Sequence, residues 1–221
     1  MLKKTTKNRH KHAVKICVAI AFVIILVYAG ISRDDDHLPT AGNFVKLNKP
    51  STYEAGKVKM MEFFKFNCGH CYEFHQMLPE LEKKYDLEIT YIPMLWLSMD
   101  EALIKSNEAY ILAEKMGKGN EMKDALFKAY FVDRMDITSI AVLEDIGRDI
   151  GLGEDFVTAL RSGDARKEAE EYIKLAESYQ VYETPTIIIN GNLKITPSLT
   201  YGNVERMVNN LDIIIGSYNH R

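Results

Sequence analysis

Apolar and polar positions along the chain follow two different periods. Val58 to Phe66, VKMMEFFKF, is apolar at most positions, the pattern of a central strand covered on both faces. Leu87 to Pro93, LEITYIP, reads as a second strand, and the alternation in Asn43 to Leu47 predicts a short one ahead of both. Tyr72 to Tyr85 has helical character, with Pro79 expected to kink or interrupt it. From Asp100 to Gln180 there is hardly a strand signal and no proline. Leu103, Ile104, Ile111 and Leu112 recur at helical intervals; so do Ile140, Leu143, Ile146 and Ile150, and again Ala165, Ala169, Tyr172, Ile173 and Ala176. Breaks at MGKGN (residues 116–120), 136–139, 151–153 and 162–164 divide this block into four or five helices, with Thr138, Ser139 and Asp164 as expected caps. Ile187 to Ile189 is a strand, Asn190-Gly191 a two-residue hairpin turn, and Leu193 to Ile195 the returning strand. Gly202 to Ile214 predicts a closing helix. The order, βαβ, helices, ββα, belongs to the α/β class.

The first thirty residues stand apart. Lys3, Lys4, Lys7, Arg9, Lys11 and Lys15 precede an apolar run, Ile16 to Ile31, with no acid among them. A basic flank before such a run marks a secretory signal or a membrane anchor. At 16 residues the run is long for a signal core and short for a span, so both fates stay open. The polar stretch that follows, with Pro39 and Gly42, reads as a linker over residues 33–42. The whole chain of 221 residues is 47% hydrophobic and 27% charged, enough for a sizeable core. Its formal charge of −3 argues against nucleic-acid binding, and the −9 left without the six cations of residues 1–29 argues against reliance on anionic membrane contact.

Composition matters most at cysteine. Cys17 lies in the apolar run, leaving Cys68 and Cys71 as the only cysteines of the exported part. They stand in FFKFNCGHCYEFH at a strand-to-helix junction. A disulfide closing so short a loop removes little chain entropy, which makes it a poor staple. A zinc site could draw in His75, but no second cysteine pair or His-x₃-His follows. A redox pair fits best. The free N–H groups and positive dipole end of the helix would lower the pKa of Cys68, the exposed sulfur, while Cys71, one turn on and covered, resolves the mixed disulfide. His70 adds a polar group that favours the dithiol and hence an oxidising centre; the alternative is a surface histidine without influence on sulfur. Glu62 alternates with Met60, Phe64 and Phe66 and so should point into an apolar face. It is either a proton acceptor for Cys71 or a carboxylate near the sheet end paired with a lysine.

Together EFFKFNCGHCYEF, the helical block and TPTIIINGN resemble the thioredoxin fold, and within it the DsbA-type disulfide oxidases, over Phe44 to Ile214. The 114 residues from Cys71 to Pro185 exceed the spacing of plain thioredoxins by about a helical insertion. The resemblance implies a cis Thr184–Pro185 bond packed against the motif, with Thr184 and Pro185 binding substrate backbone, and a buried acid at Glu62. Two positions depart from the family. Glu88 stands near the place of a lysine that accompanies the acid, and Gly69 stands where proline usually precedes the histidine. Gly-His is the pair found in protein disulfide isomerases.

The expected architecture is therefore a thioredoxin fold in two parts, residues 43–99 and 181–221, with a helical insertion at 100–180, preceded by a single signal or anchor helix in residues 1–32. The expected activity is thiol:disulfide exchange at Cys68–Cys71, with His70 and Glu62 assisting, introducing disulfides into secreted proteins. A disulfide isomerase or reductase is the alternative within the fold, and a non-redox metal-binding module the one outside it. No cofactor or metal is expected. The resemblance implies a periplasmic location, soluble or anchored to the inner membrane by residues 16–31, and a quinone-linked membrane reoxidase as partner. With no dimerisation segment evident, the chain is read as a monomer.

Overall fold

A computed structural model describes residues 38–96 and 101–219. The apolar segment 16–31 lies outside them. Among the described residues no helix is long and apolar enough to cross a membrane.

Among the described residues the chain builds one five-stranded sheet. Its strands are β1 (Val45–Lys46), β2 (Val58–Phe64), β3 (Leu87–Pro93), β4 (Thr186–Ile189) and β5 (Leu193–Ile195), in the order β1-β5-β4-β2-β3. β2 and β3 are parallel and the other neighbours antiparallel. The apolar run of β2 has the expected cause: it pairs on both edges and is covered on both faces. Phe64 and Phe66 enter one core cluster with Tyr110, Phe127 and Cys71, while Phe63 enters another with Ile92, Val181 and Ile188. Burying each such ring contributes roughly 2–3 kcal/mol, so β2 anchors the fold around the residues that precede the cysteines. The hairpin turn is one residue longer than expected. Ile189 pairs with Leu193, so the loop is Asn190, Gly191 and Asn192. Both Asn190 and Gly191 have positive φ, which these two residue types tolerate best.

Among the described residues seven α-helices pack around the sheet. α1 (Gly69–Lys84) continues through Pro79 without interruption and begins three residues before the expected start. α2 (Ile104–Lys115), α3 (Gly119–Phe131), α4 (Ile140–Asp149), α5 (Glu154–Ser162) and α6 (Arg166–Ser178) lie between β3 and β4. α7 (Val204–Asn219) extends beyond its expected end at Ile214 and packs on α1, tied by Lys84 and Tyr85 to Asp212. α2 is the hub, contacting α3, α4, α5 and α6. That explains why it is buried all round, polar positions included. Ser106 donates to Ile137 O at 2.6 Å, and Asn107 donates to Pro93 O at 3.3 Å, joining the helices to the end of β3. The expected caps need correction. Ser139 is the N-cap of α4 but makes no side-chain capping bond, Thr138 instead hydrogen-bonds Asp136, and Ala165 rather than Asp164 caps α6.

Candidate active site

The junction after β2 places the two sulfurs. Cys68 has extended backbone (φ −93°, ψ 118°) and is the N-cap of α1, its sulfur accepting from Cys71 N–H at 3.3 Å. This capping bond starts the helix at Gly69, where apolar periodicity gives no signal. As a thiol Cys68 donates to Thr184 O at 3.4 Å. Thr184–Pro185 is a cis bond, as the resemblance implied. The chain thus brings position 184, far away in sequence, against the first cysteine.

The two thiols differ sharply. Cys68 is partly exposed, and its pKa is lowered to about 6, first by hydrogen bonding from Cys71, then by the Thr184 side chain, with the charge of exposed His70 a smaller contribution. Cys71 is fully buried, and loss of hydration pushes its thiol well above the usual range. One sulfur is a stable thiolate near neutral pH and the other is held as a thiol.

Glu62 points into the apolar face with Met60, Phe64 and Phe66, and is only 3% exposed. Burial raises its carboxyl to about 7 against the opposing charge of Lys123. It sits in mid-strand, opposite Tyr91 on β3 and Ile187 on β4, not at the end of the sheet. Glu88 proves remote from it: it pairs with Lys59 in register and forms an ion pair with Lys57. The lysine that acts on Glu62 comes from α3. Lys123 is buried, with its ammonium 3.1 Å from the centroid of the Tyr91 ring. Sequence reading missed it because a lysine among polar neighbours looks like surface. The one available signal was its place four residues before Phe127, on the buried stripe of α3. His75 does not join the cysteines. Its ring stacks on Phe127 and its Nε2 lies 3.0 Å from Asp124 Oδ1. Among the described residues no cluster of three or more metal-ligating side chains forms.

A family model described as a DSBA-like thioredoxin domain matches residues 59–208. The chain belongs to this family. Its fold is the mixed α/β, thioredoxin-like fold of DsbA, and its activity is thiol:disulfide oxidoreduction. The thiol:disulfide interchange protein DsbA of Burkholderia cepacia is 26% identical over 176 residues, 78% of this chain and 82% of the relative. That of Salmonella typhimurium is 25% identical over 194 residues, 83% and 86% of the two chains. Among solved structures, DsbA of Xylella fastidiosa superposes with a TM-score of 0.67 at 21% identity, covering 84% of this chain and all of the other. Pseudomonas aeruginosa DsbA gives 0.66 at 22%, covering 81% and 93%.

Proposed function

We propose that the protein is an exported disulfide oxidase that introduces disulfide bonds into secreted proteins. The observation that carries the oxidising direction is the asymmetry of the pair: a stabilised Cys68 thiolate beside a buried Cys71 thiol. Stabilising the dithiol form makes the disulfide a stronger oxidant. In the reaction, a substrate thiolate attacks Cys68 Sγ of the oxidised pair, and the Cys68–Cys71 bond breaks. Cys71 leaves as a thiolate and takes a proton from Glu62. A second substrate thiolate then attacks the substrate sulfur of the mixed disulfide. Cys68 leaves as its stable thiolate, the substrate gains a disulfide, and the protein keeps the two electrons. Thr184 and Pro185 hold the extended substrate backbone beside Cys68. A membrane partner linked to quinone reoxidises the pair, with the chain acting as a monomer, and the five helices α2–α6 serve as an insertion in the thioredoxin framework. The cation-flanked apolar run, residues 16–31, supports export to the periplasm by signal or anchor.

The Cys-Gly-His-Cys centre favours a second reading, a disulfide isomerase or reductase, because this pair belongs to milder centres. Equilibration of Cys68–Cys71 with glutathione buffers separates the two. The oxidase requires a potential near that of DsbA, about −120 mV; a value near that of protein disulfide isomerase, about −180 mV, or near or below that of thioredoxin, about −270 mV, refutes it.

A further inference from the structure

A cavity of about 610 Å³ opens between α1 and α3, beside β3. Tyr91 and Lys123 line it, and Glu82, His75, Asp124 and Gln76 line it from the two helices. Nothing in the exchange at Cys68 uses it. It nevertheless lies next to the one buried acid of the site, since Tyr91 is the strand partner of Glu62 and Lys123 rests on the Tyr91 ring.

Glu62 has a supply problem if it exchanges a proton with Cys71. At 3% exposure it must recover that proton from solvent on every turnover. Most directions are closed by apolar groups. Phe64 and Phe66 follow it on the same strand face, Phe63 fills the opposite face, and Phe74 and Leu78 on α1 are buried. A proton needs polar groups or water along its path, and among the described cavities this one combines polar lining groups and room for water with proximity to Glu62.

We propose that the cleft between α1 and α3 is the proton route between Glu62 and solvent, with Lys123 as the positioning residue at its inner end. The inference rests on the reading that Glu62 exchanges a proton with Cys71. When the oxidised pair is attacked, Cys71 thiolate takes a proton from the Glu62 carboxyl, and the carboxylate left behind is reprotonated by water or buffer acid through the cleft. In the reverse direction Cys71 gives its proton to Glu62, which releases it outward. No electrons move in this step. Lys123 holds the carboxylate in its charged form between transfers. It is faced by Glu62 from β2, Tyr91 from β3, His75 and Glu82 from α1 and Asp124 from its own helix. The carboxylates of Glu62, Asp124 and Glu82 keep the ammonium in a site where burial disfavours it.

The test is single-turnover oxidation of the reduced full chain by a small disulfide, in which Glu62 accepts the Cys71 proton, followed by stopped flow. Glu62→Ala is expected to slow the step about a hundredfold; an unchanged rate refutes the underlying reading of Glu62. In that variant, formate entering the cleft should restore much of the rate. Asn120→Trp, added at the exposed rim, should abolish the rescue. Absence of rescue with the cleft open, or rescue that survives the added tryptophan, overturns the route while leaving the reading of Glu62 standing. In the wild-type background, Lys123→Met should move the midpoint of the pH–rate profile upward, and Lys123→Arg should return it. A purely structural lysine would change stability in both variants and leave the midpoint in place, which also overturns the role given to Lys123.

Discussion

Replacing Glu62 by glutamine removes a buried charge at nearly constant volume, and the structure sets how much that is worth. Burial raises the carboxyl from 4.5 to about 7, and that value already includes the favourable pull of Lys123 and the repulsion of Cys68 and Glu82. The folded state therefore binds this proton more tightly than the unfolded state does. Between pH 4.5 and 7 the folded protein carries more protons here, so stability falls as pH rises through that window. Below 4.5 both states are protonated and the acid costs nothing. Above about pH 8 both are ionised and the full difference applies. At about 1.36 kcal/mol per pH unit, the shift amounts to about 3 kcal/mol. Urea unfolding of reduced wild type and Glu62→Gln from pH 4 to 8.5 reads the effect. Cys68 titrates in both proteins, but its repulsion by Glu62 is lost in the variant, so that coupling is part of the measured difference. The two stabilities should coincide near pH 4 and diverge to about 3 kcal/mol at pH 8, with the variant the more stable. A constant offset across the range, or a variant less stable at pH 8, refutes the reasoning.

Two further outcomes follow from the same geometry. In the reduced protein, alkylation of Cys68 by iodoacetamide should rise with pH about a midpoint near 6, because only the thiolate reacts, whereas Cys71 should stay unmodified through pH 8; mass spectrometry of the two positions distinguishes them. Phe127→Ala should cost roughly 3–5 kcal/mol by urea unfolding, since the ring is 1% exposed and packs against Phe64, Phe66, Tyr72 and His75; a loss under about 1 kcal/mol would mean that α3 is not fastened to β2 and α1 through this residue.

The central strand, its neighbours and the helical stretches were legible because each carries its own period. β2 is apolar on both faces and is buried on both, and β3 runs from Leu87 to Pro93 as its pattern indicates. Boundaries were less legible where something other than apolar spacing decides them. α1 starts at Gly69 because the sulfur of Cys68 caps it, and α6 starts after Ala165 although Asp164 is the better capping residue type. Pro79 failed as a breaker because α1, covered on one side and fixed by Phe74, Leu78 and Leu81 in the core, carries it as a surface position.

The chain by itself determined the chemistry available: two cysteines one helical turn apart, an acid on an apolar strand face, and a proline motif after the helices. These are local signals, and a periodic or spaced pattern of residues is enough to reveal them. Only the tertiary structure decided which distant groups act on them. Thr184 reaches Cys68 across 116 residues, and Lys123 reaches the acid from a helix rather than from the neighbouring strand. Electrostatic partners are chosen by proximity after packing, and burial, which separates the two thiols and raises Glu62, is a property of the assembled core that no spacing of residues records.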